Sequence, residues 1–359
     1  MATQSLISTR ALPGRSVLAG VAALALTFTA TACGGADNAP TAAPTTTVRL
    51  VTHGSWAASP EVLARFTAET GFELEVLPAD DAGAMVNQLI LTKDAPLGDA
   101  VFGIDTTFAS RAVEAGILEP YTSPAGGPEQ VEHAADESGQ LTAVDFSDVC
   151  VNADTRLVAN GADLTLDDLT KPEFKDQLVV ENPTTSSPGL AFLLATIAAK
   201  GETGWVAYWQ ALRDNGVKVV SGWDEAYYAE FSGPSSGGSR PLVVSYASSP
   251  PSETPEGAAA PVTAAALGTC FRQVEYAGVL AGAANPQGAR RLVDFLLSDA
   301  FQADLPSQMW VYPVKAGTAL PRAWARFAPL APEPWTLPAA TIAAHRDEWL
   351  AEFTDRVLG

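Results

Sequence analysis

Val48-Arg49-Leu50-Val51-Thr52, followed by His53-Gly54-Ser55-Trp56-Ala57-Ala58-Ser59-Pro60, sets the fold. The first five residues form a β-branched, apolar run that reads as a strand, and Ser55 to Ser59 read as a loop. Pro60 suits the first turn of a helix; Val62, Leu63 and Phe66 share one face of it, and Gly71 is its stop. Phe72-Glu73-Leu74-Glu75-Val76 alternates as a second strand. A helix around Met85 to Leu91 leads to a third strand, Asp99-Ala100-Val101-Phe102-Gly103-Ile104. This β-α-β-α-β succession predicts a parallel sheet with helices on its faces. The alternation returns downstream. Leu178-Val179-Val180 reads as a strand, Pro188 to Ala199 and Trp205 to Arg213 as helices, and Val217-Lys218-Val219-Val220 and Leu242-Val243-Val244-Ser245-Tyr246 as strands. Two α/β lobes follow. Trp205, Tyr208, Trp209 and Leu212 are at helical spacing and belong to a core.

Composition narrows the function. Of 359 residues, 47% are hydrophobic and 17% charged, which describes a packed chain rather than a disordered one. There are 21 basic against 41 acidic residues, a formal charge of -20. So acidic a chain repels phosphate backbones, so no nucleic-acid partner is expected, while a small cation is attracted. Three cysteines and three isolated histidines, without metal-ligand spacing, predict no metal site.

Arg10 and Arg15 precede the apolar run Val17 to Leu26, then come Ala30-Thr31-Ala32 and Cys33. That is the layout of a signal peptide over residues 1–32. A cysteine just after the cut resembles a lipoprotein lipobox, although Ala30 stands where leucine is usual, so Cys33 is expected to be lipidated. Residues 33–46, rich in Ala, Pro and Thr, read as a tether between a membrane anchor and a folded body. The expected address is extracytoplasmic, on the membrane. Cys150 and Cys270 then remain, and outside the cytosol such a pair is expected to form a disulfide.

In open α/β sheets ligands lie beyond the carboxyl ends of strands. That rule singles out His53-Gly54-Ser55-Trp56, Asp80-Asp81, Asp105-Thr106-Thr107, Thr184 to Gly189, and Ser245-Tyr246-Ala247-Ser248-Ser249. In Asn182-Pro183-Thr184-Thr185-Ser186-Ser187-Pro188-Gly189, four hydroxyls stand between a strand and a helix start, a setting for anion binding by free N–H groups. Simple N-capping by Ser187 is the alternative. Trp223 and Tyr227, with Trp310 and Tyr312, sit on irregular segments and suit a stacking wall for a flat cation, or else a core. Asp81 and Asp105 either pair with a ligand amino group or cap the following helices. No G-x-S-x-G, P-loop, G-x-G-x-x-G or H-E-x-x-H signature is present.

Six segments together resemble the periplasmic thiamine-binding proteins of bacterial ABC importers, in that family's order. They are Val51 to Ala58, Gly103-Ile104-Asp105, Asn182 to Leu190, Gly222-Trp223-Asp224-Glu225-Ala226-Tyr227, Ser245 to Pro250, and Pro306 to Val314. The resemblance implies an α/β, two-lobe periplasmic-binding-protein-like (type II) fold, with a hinge and an interlobe ligand cleft. Lobe 1 would take residues 47–145, lobe 2 residues 146–268, and the return to lobe 1 residues 269–359. It also implies a monomer that carries thiamine or a thiamine phosphate to a membrane permease and needs no cofactor. By matching position, Trp310 would stack on the pyrimidine and Asp81 would bind its amino group. Trp223 and Tyr246 would line the cleft, and Thr185 and Ser186 would receive a phosphate. The family carries tyrosine where His53 stands, and another near Ser252. Two alternatives are a thiaminase I-like enzyme with Cys150 as nucleophile, and a receptor of the same fold for ferric ion, which such receptors hold with paired tyrosines, or for another small cation. Tyr246 is followed by Ala247, which counts against the second.

Overall fold

A computed structural model describes residues 46–359. The signal peptide, the tether through residue 45 and Cys33 lie outside the described residues.

In chain order, β1 is Thr47–Thr52, α1 Pro60–Thr70, β2 Glu73–Pro78, α2 Ala82–Leu91, β3 Ala100–Asp105, α3 Ala109–Glu114 and β4 Leu118–Glu119. The short α4 (Glu129–Glu132), the long β5 (Thr142–Asp154), β6 (Leu178–Glu181), α5 (Ser187–Asp214), β7 (Lys218–Val220) and β8 (Leu242–Tyr246) follow. The chain ends with β9 (Thr263–Leu280), α6 (Pro286–Leu296), α7 (Asp299–Gln308), β10 (Tyr312–Pro313), α8 (Trp324–Phe327) and α9 (Ala339–Phe353).

Local chemistry explains the helix ends. Ser59 caps α1 by accepting from Val62 N, Pro60 opens it, and Gly71 closes it at φ 75°, where a side chain would be strained. Within α5, Gly201 at φ 71° breaks the regular backbone, so the stretch holds two helices, as the sequence predicts.

One sheet runs in the order β2-β1-β3-β9-β5-β8-β6-β7. β2-β1-β3 is a parallel triplet, and so is β8-β6-β7. Between them β9 and β5 run antiparallel to each other and to their outer neighbours. Each triplet is thus the centre of one α/β half, and the chain crosses between halves along β5 and β9. The expected lobe limits at 145/146 and 268/269 fall inside these two strands. Alternation of apolar residues does not reveal either strand, since both faces are covered and β5 buries Asp145, Ser147, Asp148 and Asn152.

Strand residues divide between two cores. Val48 and Leu50 of β1, with Ala100 and Phe102 of β3, pack under α1 and α6, whereas Val51, Val101 and Ile104 face the core that holds Trp205 and Trp209. Trp205, Tyr208, Trp209 and Leu212 are all buried, as predicted. Cys150 of β5 and Cys270 of β9 form a disulfide, with Cα atoms 4.1 Å apart. It lies where the β5–β9 register shifts between Val149 and Val151, and Asp148 pairs with Arg272 beside it at 2.5 Å. The bond therefore staples the two crossings together.

Candidate functional site

A cavity of about 770 Å³ opens where the loops beyond β1, β2, β6, β7 and β8 converge with the turn after α7. It falls in the size range of small-molecule pockets. Many of the residues singled out from sequence line it, among them His53, Ser55, Asp81, Thr185, Ser187, Trp223, Tyr227, Tyr246, Ser252 and Trp310.

Four do not. Trp56 packs against the α1–α6 core. Asp105 is buried as a turn cap, accepting from Thr107 Oγ1 at 2.8 Å and from Gln273 Nε2 at 2.8 Å. Burial pushes its carboxyl up to about 6, against the hydrogen bonds from Ser187, Thr107 and Gln273. Ser186 is the N-cap of α5 and accepts from Gly189 N. Ser248 is fully buried and donates to the carbonyl of Trp310.

Two groups of aromatic rings line the cavity. Trp223 stacks on Tyr227 with centroids 4.8 Å apart and planes 19° apart, and Tyr246 lies 6.3 Å away, tilted. The Trp223 indole N–H donates to Ser245 Oγ at 2.9 Å, which fixes the ring. Trp310, which lines the cavity from the turn after α7, adopts φ 58°, a left-handed conformation that costs a side-chain-bearing residue energy. The buried Ser248 contact holds its backbone there, and Trp324 lies behind the ring at 6.4 Å, nearly parallel.

The lining is acidic. Asp80, Asp81, Asp224, Glu225 and Glu275 all contribute, and no lysine or arginine does. The single basic group is His53, 3.4 Å from Glu275. Burial works against the imidazolium most strongly, but Glu275, with Asp81 and Asp224, outweighs it and raises the His53 pKa. Glu275 is in turn held below its usual range: burial opposes its charge, and His53 and Asp145 more than offset that. Asp145, its cross-strand neighbour, is pushed well upward by burial and by Glu275. Among the described residues, no cluster of three or more His, Cys, Asp or Glu is arranged to hold a metal ion.

The hydroxyl run before α5 departs from the open anion site predicted for it. Thr184 Oγ1 donates to Asn182 Oδ1 at 2.8 Å, Thr185 Oγ1 to the Ser221 carbonyl at 2.7 Å, and Ser187 Oγ accepts from Gln273 Nε2 at 2.8 Å. The helix-start N–H of Ser187 already has an anion: Asp81 Oδ1, at 3.2 Å. That carboxylate also accepts from Ala82 N at 2.7 Å and, through Oδ2, from Trp223 N at 3.0 Å. Asp81 therefore caps α2, one of the two roles open to it, and at the same time bridges the two halves.

Asp224, Tyr228 and Glu275 are lining residues that the sequence reading missed. Asp224 and Tyr228 flank residues that were singled out, whereas Glu275 reaches the cavity only through the register of β9 on β5.

Comparison with known proteins agrees with this architecture. A thiamine-binding periplasmic protein of Escherichia coli is 28% identical over 313 residues, spanning 83% of this chain and 88% of the relative. A solved periplasmic thiamin binding protein superposes with a TM-score of 0.75 at 26% identity, covering 87% of this chain and 96% of that one. An iron uptake protein of Synechocystis is 23% identical over 307 residues, covering 82% and 84%. Residues 99–329, most of both halves and the crossings between them, match the model of the bacterial extracellular solute-binding proteins, and the chain belongs to that family.

Proposed function

We infer that this chain is the extracytoplasmic receptor of an ABC importer and that its ligand is thiamine. The observation that carries the reading is the cavity's chemistry: two groups of aromatic rings, five carboxyl side chains, and no lysine or arginine. Thiamine is a flat aminopyrimidine joined to a permanently cationic thiazolium. Its rings suit stacking between Trp310 on one side and Trp223, Tyr227 and Tyr246 on the other, and its charge suits the field of Asp224, Glu225 and Glu275. The relatives named as thiamine-binding periplasmic proteins support the same ligand. In this reading the ligand sits between the halves, the hinge runs through β5 and β9, and a monomer anchored through Cys33 presents its cargo to a membrane permease.

A thiaminase-like reaction would need a free thiolate. Cys150 is fully buried and bonded to Cys270, which leaves it no nucleophilic sulfur. The iron uptake relative points towards an iron receptor, but the cavity wall is better suited to a flat cation than to a bare one. No described helix is long and apolar enough to cross a membrane.

Titration calorimetry on the folded chain with thiamine, its neutral aminopyrimidine fragment and ferric ion tests the reading. Thiamine should bind tightest, and the neutral fragment should lose affinity because it lacks the cation. Saturable ferric binding without thiamine binding would overturn it.

A further inference from the structure

Three carboxyl side chains stand abreast across the middle of the sheet. Glu275 of β9 pairs with Asp105 of β3 on one side and with Asp145 of β5 on the other. Residues paired directly across strands share a face of the sheet. Of the three, only Glu275 lines the cavity. Asp105 is held by Thr107 and Gln273, whereas Asp145 is fully buried and neither of its oxygens meets a donor group of the chain. A carboxyl so placed keeps its proton and shares it with Glu275.

His53 closes the cluster from the cavity side. Its Nε2 is buried and lies 3.4 Å from Glu275 Oε1. The ring sits against Gly103, where φ is 97° and a Cβ would collide with His53 Cδ2. Asp81 before α2 and Asp224 beyond β7 also act on the imidazole; burial opposes its charge, but Glu275 and these two outweigh burial and hold its pKa above the ordinary value. Asp80, Glu225 and the hydroxyls of Tyr227, Tyr228 and Tyr246 are the remaining titratable groups of the wall.

We propose that His53 and Glu275 form a proton-exchange subsite, in which an organic cation entering the cavity takes over Glu275 and drives the proton of His53 out to solvent. The proposal rests on the thiamine reading of the cavity and deepens it. With no lysine or arginine in the lining, the His53 imidazolium is the one wall charge of the ligand's own sign, and the two compete for the same carboxylates. A thiazolium charge cannot be shed, whereas an imidazolium gives up its proton near neutral pH. Side by side, the titratable cation discharges. Because Asp145 already carries a proton, the exchange swaps one positive neighbour of Glu275 for another and adds no buried charge.

The test is titration calorimetry with thiamine on the wild type, His53→Gln and Glu275→Gln, in paired buffers of different ionisation heat. The pH runs from about 6 to 8, above the titration of the ligand's own aminopyrimidine and across the histidine range. Linkage sets the sign: a cation that discharges the imidazolium binds more tightly as pH rises, by up to about tenfold per pH unit while His53 is charged, and the slope ends once it is neutral. At the acid end the wild type should release up to about one proton per thiamine, read as a buffer-dependent heat. His53→Gln should give equal heats in both buffers and a flat pH profile. Glu275→Gln removes the carboxylate that holds the proton, so it should move the sloping region to lower pH; it also keeps the test available if His53→Gln unsettles the loop. In the free chain the His53 ring resonances, assigned with His53→Gln, should titrate above the ordinary histidine value of about 6.5. Buffer-independent heats with a flat profile in the wild type, or an unchanged slope in His53→Gln, would overturn the proposal. If thiamine does not bind, the thiamine reading falls and the His53 midpoint decides: a raised one keeps the subsite for another organic cation, and an ordinary or lower one overturns it too.

Discussion

Replacing Trp310 by alanine and, separately, by glycine separates the ring's work in the cavity from the strain of its backbone. The ring lines the cavity, half-buried, with Trp324 nearly parallel behind it at 6.4 Å. If one face stacks on a heteroaromatic cation, its removal should cost about 1–3 kcal/mol of binding, roughly 5- to 150-fold in Kd. The backbone adds a second signature. At φ 58°, alanine keeps a Cβ in the left-handed region, at a cost of roughly 1–2 kcal/mol, which glycine escapes. Trp310→Gly should therefore melt above Trp310→Ala, the reverse of the usual order in regular structure. Calorimetry with thiamine and thermal denaturation of both variants read the two effects. A core tryptophan would behave otherwise, since its truncation costs roughly 3–5 kcal/mol of stability. Normal thiamine affinity combined with a collapsed melting temperature in both variants would refute the stacking role.

Two further outcomes follow from buried chemistry. Alkylation of the denatured chain without reductant should label neither Cys150 nor Cys270, and the Cys150→Ser, Cys270→Ser double variant should lose about 2–5 kcal/mol of stability, because the bond closes a loop spanning 120 residues; labelling of either thiol would contradict the staple. The Asp105 carboxyl, raised from 3.8 to about 6 chiefly by burial, should show a carbon-13 titration midpoint near 6; because its folded pKa is the higher one, its contribution weakens the fold as pH rises from about 4 to 6, by about 3 kcal/mol, and a midpoint below 4 would contradict its burial.

Much of the frame is legible in the chain because it is written locally. β1 and β3 carry apolar residues on both faces, Pro60 and Gly71 bracket α1, and the helical spacing of Trp205, Tyr208, Trp209 and Leu212 marks a core. The strand-end rule places most of the cavity wall for the same reason: within each triplet the parallel strands deliver their following loops to one edge. Side-chain direction is not written locally. Ser248 and Asp105 stand at or just beyond strand ends as Tyr246 and Asp81 do, yet they turn inward to bond the Trp310 carbonyl and Gln273. β5 and β9 escape pattern reading because buried polar residues break their apolar runs. Asp148 is tolerated there by Arg272, a partner 124 residues away. Glu275 is hidden with them. The fate of the hydroxyl run depends likewise on a distant group, Asp81, 106 residues before Ser187.

The central claim is that a flat organic cation sits between the aromatic walls and over the carboxylates of the cavity. A crystal structure of the chain grown with thiamine tests it most directly. The account predicts density for the pyrimidine against the Trp310 ring, the thiazolium facing Asp224 and Glu275, and Asp81 still bonded to the N–H groups of Ser187 and Trp223. Thiamine found outside this cavity, or inside it with its cationic ring turned away from every carboxylate, would contradict the account.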